Sequence, residues 1–129
     1  MVRPQIRNFP EPETFTIDCP TQQVLDIVGN KWSVIVIYCL AYSPKRYSQL
    51  QHKIEGISQK MLTQTLRNLE RNGIVDRDVF PEVPPRVEYS LTPLGETLVE
   101  PLMSLADWTD AYFEEVRSAR DRFDGYGSC

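Results

Sequence analysis

The chain has 129 residues, 41% of them hydrophobic and 25% charged, with one histidine and three cysteines. That length predicts one domain with its own core. No apolar run reaches transmembrane length, and the N-terminus lacks the charged-then-apolar layout of a signal peptide, so a cytoplasmic protein with free thiols and no membrane partner is expected. Metal-ligand spacing of Cys and His, a glycine-rich phosphate loop and any nucleophile–base–acid signature are all missing, so neither metal, cofactor nor enzymatic activity is expected. His52 reads as a surface residue or a phosphate contact.

The net charge is −4, which is unpromising for a nucleic-acid binder until its distribution is examined. Residues 45–91 carry eight Lys/Arg and six Asp/Glu, a balance of +2, while the remainder balances at −6. The middle of the chain is therefore the basic part of an acidic protein, a weak electrostatic footprint that predicts modest, salt-sensitive affinity per subunit.

In chain order, residues 1–17 contain Pro4, Pro10 and Pro12 with little periodicity and read as an extended arm, ordered by a partner chain if at all. Cys19-Pro20 starts a helix, with proline at its first position and Cys19 at or beside the cap. Val24, Leu25 and Val28 suit one face of that helix, which ends at Gly29. Lys31-Trp32-Ser33 then opens a nearly all-apolar stretch from Val34 to Ala41. A helix apolar on every side is expected to be buried, with Cys39 as a small core hydrophobe. Tyr42-Ser43-Pro44 ends it, and Tyr47 is a candidate for a brief strand.

Ser48-Gln49-Leu50-Gln51 fits a capping box opening a short helix, with Tyr47, Leu50 and Ile54 on its apolar side. Glu55-Gly56-Ile57 is a tight turn. Ser58–Arg71 follows as a second helix, with Ser58 as N-cap, Ile57 closing on Leu62, and Gly73 in the left-handed position that lets Ile74 fold back towards Leu69. Leu62, Leu66 and Leu69 make its buried stripe. The opposite face carries Lys60, Gln64, Arg67 and Arg71, flanked by Thr63 and Asn68, types that pair with phosphates and base edges. Val75–Phe80 and Arg86–Leu91 read as strands, with Val87, Tyr89 and Leu91 alternating inward, joined by the stiff loop Pro81–Pro85.

Helix, glycine turn, polar-faced helix and hairpin together predict a mainly α fold with a small β-hairpin: a winged helix-turn-helix domain. Thr92-Pro93 starts the last helix. It has two apolar stripes, one including Leu94, Leu98, Leu102, Leu105, Tyr112 and Val116, the other Val99, Met103, Ala106 and Phe113, with Trp108 between. One face exceeds what the domain's own core needs, which points to a partner subunit through Leu105, Trp108 and Tyr112. Pro101 is expected to kink or split this helix. The expected division is an arm (1–17), the winged domain with its dimerisation helices (18–116), and a charged tail (117–129) that frays, with Cys129 exposed at its end.

Cys19-Pro20, Gly29-Asn30-Lys31-Trp32, Arg46-Tyr47-Ser48-Gln49-Leu50, GISQKMLTQTLRNLERNGIV at 56–75 and VPPRVEYSLTPLG at 83–95 occur in an order that resembles the HxlR-type (DUF24) bacterial transcription regulators. The resemblance covers about residues 18–115. It implies a homodimer on double-stranded operator DNA, built by N- and C-terminal dimerisation helices, and it places Cys19 where redox-responsive members keep a reactive cysteine. An electrophile or oxidant is then the candidate inducer. A regulator switched by a small ligand, or a winged helix that binds protein and not DNA, are the alternatives.

The expected roles follow from position. Lys60, Arg67 and Arg71 would neutralise phosphates or reach guanine edges, and Thr63 and Gln64 would read bases. Ser58 and the backbone amides beside it would hold a phosphate. Arg86 suits either a minor-groove contact from the wing or a salt bridge to Glu88 or Glu82.

Overall fold

The computed structural model describes residues 10, 11 and 13–127, the last two by backbone alone. Cys129 and most of the expected N-terminal arm lie outside the described residues. The elements run α1 (Pro20–Val28), α2 (Ser33–Tyr42), β1 (Lys45–Arg46), α3 (Tyr47–Lys53), α4 (Gln59–Arg71), β2 (Val75–Phe80), β3 (Arg86–Leu91) and α5 (Pro93–Gly127). The three strands form one antiparallel sheet in the order β1-β3-β2, with Arg77 opposite Tyr89 and Lys45 opposite the same Tyr89 on the other edge. This is a winged helix-turn-helix.

The core is built where α2, α3, α4 and the start of the hairpin converge. Val36, Ile37, Leu50, Leu62, Leu66, Leu69 and Val75 are each 2% exposed or less. Full burial of one such aliphatic side chain contributes about 1.5–3 kcal/mol, so the leucine stripe of α4 is enough to fix which way its polar face points. Both ends of α4 are closed by local hydrogen bonds. Ser58 Oγ accepts from the Met61 amide at 3.1 Å. At the other end Gly73 takes φ +76°, and the Gly73 and Ile74 amides return to the carbonyls of Glu70 and Leu69. Gly56 takes φ +84° in the turn before α4.

Several expectations are corrected. Ser48 is not the cap of α3; Arg46 is, and Gln49 Oε1 accepts the Arg46 amide at 2.8 Å. Only this half of a capping box is available, because a guanidinium has no acceptor atom. Tyr47 is the first residue of that helix, and the brief strand is Lys45–Arg46 before it. The all-apolar α2 is not enclosed: Ile35 is 42% and Tyr42 88% exposed. Val24 and Leu25 of α1 are exposed as well, so α1 contributes no buried residue. Of the expected inward strand residues, Tyr89 and Leu91 pack on the core and Val87 does not. Pro101 lies inside α5 without splitting it, and the segment expected to fray after Arg117 is helical to Gly127.

The connection between α4 and α5 is tight. Thr92 caps α5 by accepting the Gly95 amide at 2.9 Å, and its hydroxyl reaches back to Gly73 O at 2.5 Å and Ile74 O at 3.3 Å. A Cβ on Gly95 would overlap the Ile74 carbonyl oxygen, so glycine is what allows α5 to start this close to the hairpin. Among the described residues, no single helix is long and apolar enough to cross a membrane.

Candidate nucleic-acid interface

The leucine stripe of α4 faces the core, so Lys60, Thr63, Gln64, Arg67 and Arg71 all lie exposed on its outer side. They do not form one cluster. Lys60, Thr63 and Gln64 line an open cleft with Tyr47 and Gln59. Thr63 and Arg67 line a second cleft, between α4 and the wing, with Glu70, Arg77 and Tyr89. Thr63 thus stands at the junction of the two. Arg71 is apart from both, in a cleft against α1 with Gln23, Asp26 and Asn72. Ser58 is exposed at the start of α4, where its hydroxyl oxygen takes the Met61 amide and the amides before that one have no carbonyl partner within the helix.

Arg86 does not project from the wing. Its guanidinium pairs with Glu88 at 2.8 Å and with Glu82 at 3.3 Å. The same group sits 4.1 Å from the centre of the Phe80 ring. Of the two readings open for this residue, the structure takes the salt bridge, and takes it twice.

Three residues of these clefts were not anticipated. Arg77 comes from β2 and brings a second exposed cation to the cleft that holds Arg67. Its place in the strand directly after α4 is the signal that could have found it. Gln59 and Tyr47 flank Lys60 and Gln64 in the other cleft. Tyr47 reads as apolar, yet its hydroxyl contacts Gln59 O at 2.9 Å and Thr63 Oγ1 at 3.0 Å.

Away from these clefts, α5 exposes Leu105, Trp108 and Tyr112, at 55%, 51% and 46%. The Trp108 and Tyr112 rings are 5.6 Å apart. Cys19 is the N-cap of α1, partly buried, with no cap hydrogen bond from its side chain. Cys39 is also partly buried and packs against the core. No group of His, Cys, Asp and Glu among the described residues could hold a metal ion.

The HxlR-like helix-turn-helix family model matches residues 27–117, a span that contains both clefts and the whole hairpin. The chain belongs to the HxlR-like helix-turn-helix family. It is a transcriptional regulator of the helix-turn-helix type. It is similar to the HTH-type transcriptional regulator YtfH of Escherichia coli, with 44% identity over 111 residues, covering 86% of this chain and 88% of the relative. Among solved structures, YtfH from Salmonella typhimurium matches with a TM-score of 0.73 at 40% identity, over 86% of this chain and 99% of that one. The redox regulator HypR in its reduced form matches with a TM-score of 0.74 at 38% identity, over 78% and 99%.

Proposed function

We propose that the protein is a sequence-specific regulator that binds operator DNA as a homodimer, with α4 as the helix entering the major groove. The observation that carries this reading is the outer face of α4. It is exposed and free of apolar side chains, it bears Lys60, Gln64 and Arg67, and a hairpin beside it adds Arg77. Lys60, Arg67 and Arg77 neutralise phosphates, Gln64 and Thr63 meet base edges, and Ser58 with the first-turn amides holds a further phosphate. Arg71 is a contact at the α1 end of the same surface. Arg86 contributes by holding the wing together.

The exposed Leu105, Trp108 and Tyr112, together with Val24 and Leu25 of α1, supply the apolar surface for the second subunit. Two copies related by a two-fold axis then meet an inverted repeat about one helical turn apart. Cys19 is the candidate switch, because it begins α1 beside that surface and because HypR, a relative of the same fold, is described as a redox regulator. An electrophile or oxidant acting on Cys19 would alter how the two subunits are set.

The test is titration of the purified protein onto the promoter next to its own gene, at two salt concentrations, against a scrambled duplex of equal length. Retention of the promoter at concentrations where the scrambled duplex stays free is expected, weakening steeply with salt. Equal retention of both duplexes, or of neither, overturns the operator reading.

A further inference from the structure

Tyr47 Oη lies 2.9 Å from Gln59 O and 3.0 Å from Thr63 Oγ1. A phenol has one proton, and a carbonyl oxygen can only accept. The Gln59 contact therefore uses the Tyr47 proton. The Thr63 contact must then be made by the Thr63 hydroxyl, donating to the Tyr47 oxygen. A threonine inside a helix often gives its proton to the carbonyl four residues earlier. Here that carbonyl is Gln59 O, which Tyr47 holds. With its proton committed to Tyr47, the Thr63 hydroxyl offers only lone pairs to the cleft it lines with Lys60 and Gln64.

We infer that Tyr47 is a specificity-determining positioning residue, which makes Thr63 an obligate hydrogen-bond acceptor on the recognition helix. In the major groove the donors are the adenine N6 and cytosine N4 amino groups, whereas guanine O6 and thymine O4 are acceptors. Thr63 then selects adenine or cytosine on the strand it faces and disfavours guanine and thymine there. This rests on the DNA-binding reading given above and narrows it to a base class at one position. Tyr47 touches no base in this arrangement and acts through Thr63.

The test is selection from a randomised duplex pool with full-length wild type, Tyr47→Phe and Thr63→Val, followed by sequencing. Tyr47→Phe keeps the ring and removes only the hydroxyl. Thr63→Val keeps the shape and the one methyl group and puts a second methyl in place of the hydroxyl. Wild type is expected to enrich adenine or cytosine at one position of each half-site. Thr63→Val should flatten that position, and Tyr47→Phe should reduce the preference about fivefold, the scale of one net hydrogen bond, leaving the other positions unchanged. Tyr47→Phe should have no further effect in the Thr63→Val background. A clear wild-type motif with guanine or thymine at the Thr63-dependent position overturns this inference alone. So does a motif that neither variant changes, or one that Tyr47→Phe weakens evenly at every position. A wild type that enriches no sequence overturns the operator reading and this inference together.

Discussion

Arg86 stacks on Phe80 from across the hairpin: its guanidinium carbon lies 4.1 Å from the ring centre, and the two residues are register partners at the far end of β2 and β3. With Glu82 and Glu88 also bonded to it, Arg86 ties the two strands and the proline loop into one unit. The loop end of the wing is braced by a cation that the sequence alone left open to contact DNA.

Arg86→Ala is therefore expected to loosen the wing more than it weakens DNA attraction. The stacking and paired charges are partly exposed, so the loss should be about 1 kcal/mol of stability. Denaturant unfolding of the variant checks this. The salt slope of operator binding should stay within error of wild type; a slope reduced by about one would return Arg86 to the set of phosphate contacts.

Arg67→Ala should behave in the opposite way. Its side chain is exposed on α4 and lines the cleft between helix and wing. Removing it should cost about 1–3 kcal/mol of operator binding per contacted site and leave the unfolding midpoint unchanged. Unchanged affinity in a salt-controlled titration would mean that the docking face is elsewhere.

Gly95→Ala addresses the packing of α5. The added methyl would meet the Ile74 carbonyl oxygen, a backbone atom that cannot swing aside. A loss of about 1–3 kcal/mol is expected from such overpacking. Thermal unfolding of this variant beside Gly125→Ala makes the comparison clean, since a Cβ at Gly125 has nothing within 4 Å. Equal behaviour of the two would contradict the contact.

The winged fold was legible because its punctuation is strong. Gly73, Pro81 and Thr92-Pro93 set the limits of both hairpin strands, and Val75–Phe80 and Arg86–Leu91 are found with the bounds expected. The polar face of α4 followed from the spacing of Leu62, Leu66 and Leu69. Less legible were features that depend on partners distant in sequence. The clefts draw Tyr47 from α3 and Arg77 from β2, and no periodicity within one helix reveals either. The start of α3 was displaced because Gln49 and Gln51 each lie three residues after a possible cap, and it is Gln49 that takes the amide, of Arg46. The exposure of Ile35 and Tyr42 was hidden because an apolar side chain does not say whether its neighbour lies in the same chain.

A Trp108→Glu substitution should produce a monomer. Trp108 is 51% exposed, with its ring tilted against that of Tyr112, so a carboxylate there leaves the fold of one chain unburdened and makes an apolar interface untenable. Sedimentation at micromolar concentration is expected to give a dimer for wild type and a monomer for the variant. A monomeric wild type would remove α5 from the proposed interface.

Cys19→Ser tests the switch. Operator binding of wild type should fall after treatment with diamide, a quinone or hypochlorite, and that of the variant should not. If both respond alike, Cys19 is not the sensor, and Cys39, partly buried in α2, becomes the next thiol to replace.

The Thr92 joint gives α5 a mechanical character. A helix of 35 residues is about 50 Å long, and this one is pinned at its first turn to Gly73 and Ile74, just after α4 ends. It is a long arm whose pivot sits beside the end of α4. Over about 50 Å, a tilt of about 5° moves the far end by about 4 Å. Run in reverse, a shift of several ångströms at the far end of α5 reaches the pivot as a rotation of only a few degrees. The gearing converts coarse displacement at one end into fine angular adjustment at the other. The absence of a side chain at Gly95 keeps that pivot free of slack.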